Sequence, residues 1–186
     1  NMLKHLKLIE SETKRCGDIV KGLLDFSRKG QDGFEQKHLH EILLDTFELL
    51  AHTMKIKDIH FISDLSAKQD FIFCSPNQMK QAFLAILVNA TEAVAGNGEI
   101  TVRTMNPDDE KIRIEFTDNG LGIAPEDIPH IFEPFFSTKE KSSGIGLGLS
   151  IVHGLVQSHQ GKIEVKSERG IETIIAINLP LITTKL

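Results

Sequence analysis

The chain has 186 residues, of which 40% are hydrophobic and 25% charged, and its 21 basic and 26 acidic residues give a net charge of -5. This composition is typical of a globular protein with one sizeable core. It argues against a general nucleic-acid surface, because such surfaces are dominated by basic residues. No apolar run approaches the roughly 18 residues that a membrane span needs, and we find no signal-peptide layout. Cys16 and Cys74 are isolated, which is typical of a reducing compartment. We therefore expect this segment to be cytoplasmic, and a membrane anchor of the full-length protein stays open.

The first 28 residues carry an apolar seam with alternating steps of four and three. Such a seam predicts an amphipathic helix that packs against another helix, in a bundle or as a dimer arm. "KGQDG" follows as a plausible hinge. We therefore divide the chain into a helical segment, 1–30, and a main domain, 31–186. The seam consists of Met2, Leu6, Ile9, Thr13, Cys16, Val20 and Leu23.

The main domain alternates helical and strand patterns. Ser75 and Pro76 favour a helix start, because serine caps free amide groups and proline tolerates the first turn. The balance of elements favours an α+β fold, a two-layer α/β sandwich. In chain order the patterns predict a strand near 34–36, a helix over 39–54, strands over 59–65 and 70–74, a helix over 77–94, a hairpin of 99–105 with 111–118, a long irregular stretch over 120–143, a helix over 144–159 and a closing strand pair, 161–168 with 172–180.

Asn89 is a polar amide on an otherwise apolar helical stretch, "LVNATEA". Its carbonyl oxygen could ligate Mg²⁺, a hard ion that is often held jointly by protein and nucleotide phosphates. A buried asparagine that is hydrogen-bonded in the core explains the pattern equally well.

Asp118 directly follows a strand and opens the motif "DNGLGI". A carboxylate there can accept hydrogen bonds from a ligand, while Gly120 and Gly122 let the backbone turn closely beneath it. A plain turn is the alternative. However, no return strand follows, and long loops in compact domains are often lids.

Gly144, Gly146 and Gly148 alternate at the predicted start of an apolar helix. Glycine in a first helical turn is unfavourable, which suggests close approach by another group. Backbone amides at a helix start suit a phosphate. The spacing is neither a dinucleotide fingerprint nor a P-loop.

Taken in order, "NATEA", "DNGLGI", "IFEPFFSTK" and "GIGLGLSIV" resemble the ATP-binding domain of sensor histidine kinases, within a superfamily that also holds DNA gyrases and mismatch-repair ATPases. The resemblance covers about residues 34–182 and implies the Bergerat-type fold. The segment "IESETKRCGDIVKGLLDFSR" is similar to the second helix of the family's dimerisation and phosphotransfer hairpin.

The resemblance also implies roles for single residues. Asn89 would hold Mg²⁺, Asp118 would recognise the adenine amino group of ATP, and Lys139 would join Asn89 as a catalytic residue reaching the phosphates. Phe132 and Phe135, with Phe136, would anchor a lid. The remaining residues implied in nucleotide binding are Gly120, Gly122, Ile123, Phe136, Thr138, Gly144, Ile145, Gly146, Leu147, Gly148 and Thr173.

The departures from the family pattern refine the expected activity. Ala85 lies four residues before Asn89, where ATP-hydrolysing members place a carboxylate that activates water. Alanine there argues against a gyrase-like ATPase. Glu172 and Ile175 replace a common glycine and phenylalanine, which weakens the assignment of Thr173. His5 lacks the acidic residue and Asn-Pro that commonly follow the acceptor histidine.

We therefore expect an ATP- and Mg²⁺-binding kinase domain whose acceptor histidine lies on another segment or chain. The resemblance implies as partners a histidine-bearing hairpin helix and a response regulator receiver domain. A homodimer through the N-terminal helix is a further option. Two alternatives stay open, namely a serine/threonine kinase of the same superfamily and an interaction module that has lost nucleotide binding.

Overall fold

The computed structural model describes residues 33–94, 96–137 and 146–182. The predicted helix over 1–30 lies outside these residues, as do four residues of the predicted site: Thr138, Lys139, Gly144 and Ile145. Within the described ranges, no helix is both long and apolar enough to cross a membrane.

The described residues form seven strands, three α-helices and one short 3₁₀ helix. The order of elements agrees with the sequence prediction. The elements are β1 (Glu35–His38), α1 (Leu39–Ile56), β2 (His60–Leu65), β3 (Phe71–Cys74), α2 (Pro76–Ala93), β4 (Glu99–Asp108), β5 (Lys111–Asp118), the 3₁₀ helix (Ile128–His130), α3 (Gly148–Ser158), β6 (Lys162–Glu168) and β7 (Glu172–Pro180).

Helix α2 starts where the sequence predicts. The Ser75 side chain accepts a hydrogen bond from the backbone N–H of Gln78 at 3.4 Å, and Pro76 occupies the first turn. At its far end the Lys57 ammonium donates to the carbonyl of Thr91 at 2.6 Å. A cation at this end also complements the negative pole of the helix. Both ends of α2 are therefore stabilised by side chains.

Five strands form a mixed sheet in the order β2-β4-β5-β7-β6. β2 runs parallel to β4, and the other neighbours are antiparallel. β1 and β3 form a separate antiparallel pair. The fourth strand is longer than predicted, because it continues to Asp108 after a register shift between Met105 and Asp108. The expected α+β sandwich is confirmed.

Strand β5 shows how the sheet divides its two faces. Ile112, Ile114 and Phe116 are buried and alternate with half-buried polar residues. On the buried face, Phe116 packs against Phe83 of α2 with ring centroids 5.7 Å apart. On the other face, the Arg113 guanidinium pairs with the carboxylates of β5 and β6. Asp118 ends the buried series and so lies on the face that the helices cover.

Helix α3 begins later than predicted. The glycine pattern predicts a helix over 144–159, whereas α3 runs from Gly148 to Ser158. Gly146 has a φ of +73°, in the left-handed region, and Leu147 is the N-cap residue. Gly148 is therefore the first residue of the helix, and Gly146 belongs to the turn before it.

Candidate functional site

Asp118 is a buried carboxylate at the end of β5, with 7% of its surface exposed. Its Oδ1 atom accepts a hydrogen bond from the backbone N–H of Gly120 at 3.0 Å. Burial raises the pKa of this carboxyl to about 6, since the charged form loses water; the Gly120 hydrogen bond lowers it, and nearby Glu172 raises it further. The group is thus mostly ionised at neutral pH and can accept hydrogen bonds from a ligand.

The loop after Asp118 is held between α2 and the β6–β7 turn. The N–H of Leu121 donates to the carbonyl of Ala93 at 3.2 Å, and the carbonyl of Leu121 accepts from Gly170 at 2.7 Å. The N–H of Ile123 donates to Ser167 Oγ at 2.8 Å. Contacts on both sides therefore fix the loop in place.

Gly120 and Gly122 are required by these contacts. A Cβ at position 120 would lie 2.7 Å from the carbonyl carbon and oxygen of Ala93. Position 122 has a φ of +64°, and a Cβ there would overlap the carbonyl oxygen of Glu168. The sequence pattern had placed these glycines beneath a ligand, and the structure adds that the protein itself leaves no room for a side chain.

Thr173 lies directly beside Asp118, because the two residues are partners in the β5–β7 register. Its side chain is buried and its hydroxyl lies 2.9 Å from the hydroxyl of Ser167. The predicted base-binding pair thus shares one face of the sheet, at the end of two neighbouring strands. Ser167 was missed in the sequence, where a lone serine on an alternating strand carries no signal of its own.

Asn89 is half-buried on α2 and faces the start of α3. A Cβ built on Gly148 would lie 3.7 Å from Asn89 Nδ2, which is ordinary contact distance. One helical turn after Asn89, Ala93 contacts the loop at Gly120. A helical turn rises about 5.4 Å, so α2 brings the predicted metal ligand close to the predicted base site.

Phe135 and Gly146, which flank the predicted phosphate-contacting residues in the sequence, are joined through their backbones. The N–H of Phe135 donates to the carbonyl of Gly146 at 2.9 Å, and Phe135 itself has a φ of +70°. A Cβ on Gly146 would overlap the carbonyl oxygen of Phe136. Gly146 is therefore needed for this backbone contact.

The three predicted anchoring phenylalanines differ in their surroundings. Phe132 packs against His153 of α3, with ring centroids 5.2 Å apart. The ring of Phe136 lies 5.8 Å from that of His130. Phe135 is 58% exposed and makes its contact with Gly146 through the backbone. The remaining predicted site residues that the structure describes, Ile123 and Leu147, are half-buried.

The described residues fit a magnesium ion that is shared with a ligand. No group of three or more histidine, cysteine or acidic residues among them could hold a metal. Mg²⁺ commonly uses few protein ligands together with water and phosphate oxygens, and an amide oxygen such as that of Asn89 suits it. His38 and His40 share a carboxylate partner, because the Nδ1 atoms of both side chains lie near Asp70, at 2.8 and 3.4 Å.

Comparison with known proteins identifies a matching family model. The model described as "Histidine kinase-, DNA gyrase B-, and HSP90-like ATPase" matches residues 74–183. Sporulation kinase E of Bacillus subtilis is 34% identical over 177 residues, which are 95% of this chain and 24% of that protein. The chain thus spans about a quarter of the length of this relative.

Solved structures agree with the fold. The nucleotide-free catalytic domain of histidine kinase ThkA has a TM-score of 0.71 and 26% identity, covering 79% of this chain and 95% of that one. The structure of ThkA in complex with the response regulator protein TrrA has a TM-score of 0.77 and 26% identity, covering 98% of this chain and 52% of that one.

Proposed function

This chain belongs to the family of histidine kinase-, DNA gyrase B- and HSP90-like ATPases, as a catalytic domain of the sensor kinase type, and from that premise we propose that it binds ATP with Mg²⁺ for transfer of the γ-phosphoryl group to a histidine. The acceptor histidine lies on a hairpin outside the matched domain. The phosphoryl group then passes to a response regulator receiver domain.

One observation carries the proposal. Helix α2 contacts both halves of the site, because Asn89 lies against Gly148 and Ala93 lies against Gly120. The base would bind where Asp118 and Thr173 share a face of the sheet. The phosphates would bind at the start of α3, where free backbone N–H groups favour anions.

Each group has a defined task in this arrangement. The ionised Asp118 carboxylate accepts a hydrogen bond from the adenine amino group, and the Asn89 amide oxygen helps to hold Mg²⁺, which when bound neutralises phosphate charge. Transfer then relies on placement and electrostatics. Thr138, Lys139, Gly144 and Ile145 are included in the phosphate site on the family resemblance alone.

Ala85 supports histidine as the acceptor over water. It lies one helical turn before Asn89 and is half-buried. A methyl group cannot act as the general base that water attack needs. The chain therefore supplies the nucleotide clamp, and the nucleophile comes from the hairpin.

We also propose that residues 1–30 form the second helix of that hairpin and that the helix pairs with a second copy or with a first hairpin helix on another segment or chain. Support comes from the apolar seam in this segment and from the solved ThkA complex, which covers nearly the whole chain. That complex contains the response regulator protein TrrA.

The proposal is tested by calorimetric titration with a non-hydrolysable ATP analogue, with and without Mg²⁺. We expect one-to-one binding that Mg²⁺ strengthens, and Asn89→Asp should weaken or alter the Mg²⁺-dependent part while leaving the melting temperature close to wild type. Asn77→Asp is the matched control, because it makes the same change at an exposed position of the same helix.

No binding at millimolar nucleotide would reject the proposal and favour an interaction module. If binding is found, a separately supplied histidine-bearing hairpin and radiolabelled ATP test the transfer step. Labelled phosphate that is stable to base and labile to acid identifies a phosphohistidine. Label on serine or threonine would instead support the alternative kinase class.

A further inference from the structure

Ser167 joins three elements of the site through one hydroxyl group. It accepts a hydrogen bond from the N–H of Ile123 at 2.8 Å. The same oxygen lies 2.8 Å from the carbonyl oxygen of Glu172 and 2.9 Å from the hydroxyl of Thr173. Ser167 and Thr173 are partners in the β6–β7 register, so both side chains lie on one face of the sheet.

The protons in this cluster have one arrangement that satisfies every contact. A serine hydroxyl has one proton and two lone pairs. The Glu172 carbonyl can only accept, so the Ser167 proton must point to it. One lone pair takes the Ile123 N–H, and the second is left to accept the proton of Thr173.

The proton on Thr173 is therefore turned away from the base site. The hydroxyl oxygen of Thr173 therefore presents its lone pairs next to the Asp118 carboxylate on the neighbouring strand. One carboxylate oxygen already accepts from Gly120, and an ionised carboxylate has no proton to donate. Asp118 and Thr173 thus present hydrogen-bond acceptors and no donor.

We propose that Ser167 is a specificity-positioning residue, which holds the Thr173 proton away from the site and thereby makes the site select a 6-amino purine over a 6-oxo purine. This inference rests on the proposed function, since it assumes that the base binds beside Asp118. An amino group donates to both acceptors, whereas a 6-oxo group faces them with lone pairs. A site whose polar groups stay unpaired discriminates strongly against the wrong ligand.

The test compares Mg²⁺-ADP with Mg²⁺-IDP, which differ in the purine ring alone, by calorimetric titration at pH 8. For the wild type we expect ADP to bind at least about tenfold more tightly. Ser167→Ala frees the Thr173 hydroxyl to donate to a 6-oxo group, so we expect the IDP-to-ADP ratio of dissociation constants to fall by about fivefold. Ser167→Thr keeps the hydroxyl and should restore the ratio.

Ser66→Ala is the matched control, because it also removes a serine hydroxyl that donates to a strand carbonyl, that of Thr104. It lies outside the proposed site and should leave the ratio unchanged. Melting temperatures establish that each variant is folded.

A double variant separates specificity from simple support of the loop. In a Thr173→Val background no hydroxyl remains to turn, so adding Ser167→Ala should leave the ratio unchanged. Two results would overturn this inference without affecting the proposal that the chain binds ATP. One is an equal loss of affinity for ADP and for IDP in Ser167→Ala. The other is the same change in the ratio of dissociation constants when Ser167→Ala is added to the Thr173→Val background. Absence of ADP binding by the wild type would overturn the proposed function itself.

Discussion

The two halves of the candidate site are built differently. The base end comprises Asp118, Gly120, Gly122, Ser167 and Thr173, and the phosphate end comprises Asn89, Gly146, Leu147 and Gly148. At the base end, hydrogen bonds from three elements hold the groups in place. At the phosphate end, the described start of α3 has room beside Asn89 for a side chain on Gly148. The fold itself thus requires Gly120 and Gly122 at the base end and Gly146 in the turn before α3, whereas a methyl group on Gly148 would meet Asn89 only at ordinary contact distance.

The largest effect expected concerns stability at the base end. Gly122→Ala should lower the free energy of unfolding by about 3 kcal/mol. The new methyl group would overlap the Glu168 carbonyl oxygen, and alanine is also strained at the positive φ of this position. Gly170→Ala is the matched control, since Gly170 also has a positive φ, +77°, but no atom within 4 Å of its Cβ. It should cost about 1 kcal/mol. Urea denaturation measures both, and equal losses would show that the overlap is relieved cheaply.

Asp118→Asn tests base recognition directly. The amide side chain has the same size and can still accept a hydrogen bond from Gly120. It carries no charge, however, and its NH₂ group donates hydrogen bonds where the second carboxylate oxygen accepts them. We expect affinity for an ATP analogue to fall by about 100-fold, the range for a lost charged hydrogen bond and a mismatched donor. The free energy of unfolding at pH 7 should not fall, because burial disfavours the charged form. Unchanged affinity would remove Asp118 from the site.

The pH dependence follows from the same carboxyl, because burial raises its pKa in the folded chain to about 6. ADP affinity should fall about tenfold between pH 7 and pH 5, as the acceptor is protonated. Stability should change in the opposite direction. A raised carboxyl pKa disfavours folding above pH 6, and this cost is relieved as the pH falls from 6 towards 4.

Asp118→Asn should remove both pH effects. His38→Gln is a control, because His38 is another titratable group, and the hydrogen bond that it donates to the Asp70 carboxylate raises its pKa. If the His38 variant lost the pH dependence of binding and the Asp118 variant kept it, Asp118 would not be the titrating group.

The smallest stability effect is expected at the phosphate end. A methyl group on Gly148 would lie at ordinary contact distance from Asn89, and alanine favours a helix more than glycine does. Gly148→Ala should therefore change the free energy of unfolding by less than about 1 kcal/mol. If a phosphate approaches this backbone, affinity for the ATP analogue should still fall about tenfold. Gly33→Ala, which places its methyl group in open space, is the neutral control for both measurements.

Local signals predicted much of the fold. The order of elements from β1 to β7, the cap at Ser75 and the ending of β5 at Asp118 follow from apolar periodicity and capping chemistry. The family prediction is confirmed by the matching family model. The roles assigned to single site residues stay predictions.

Other features could not be predicted from local pattern. Helix α3 starts at Gly148 because Gly146 takes a left-handed turn against the backbone of Phe135 and Phe136. Asp70 contacts two histidines thirty or more residues away in the chain. Such contacts join residues that are distant in sequence, and neither partner carries a mark of the other.

The sequence by itself therefore determined the family, the order of elements and the residue types available for binding, because these depend on composition and short-range spacing. Tertiary structure decided which glycines the protein requires for its own packing, and that a methyl group on Gly148 would meet Asn89 only at ordinary contact distance. It also placed the hydroxyl of Ser167 within hydrogen-bond distance of the hydroxyl of Thr173. Hydrogen-bond direction and close packing depend on neighbours brought together by the sheet register, which no local segment specifies.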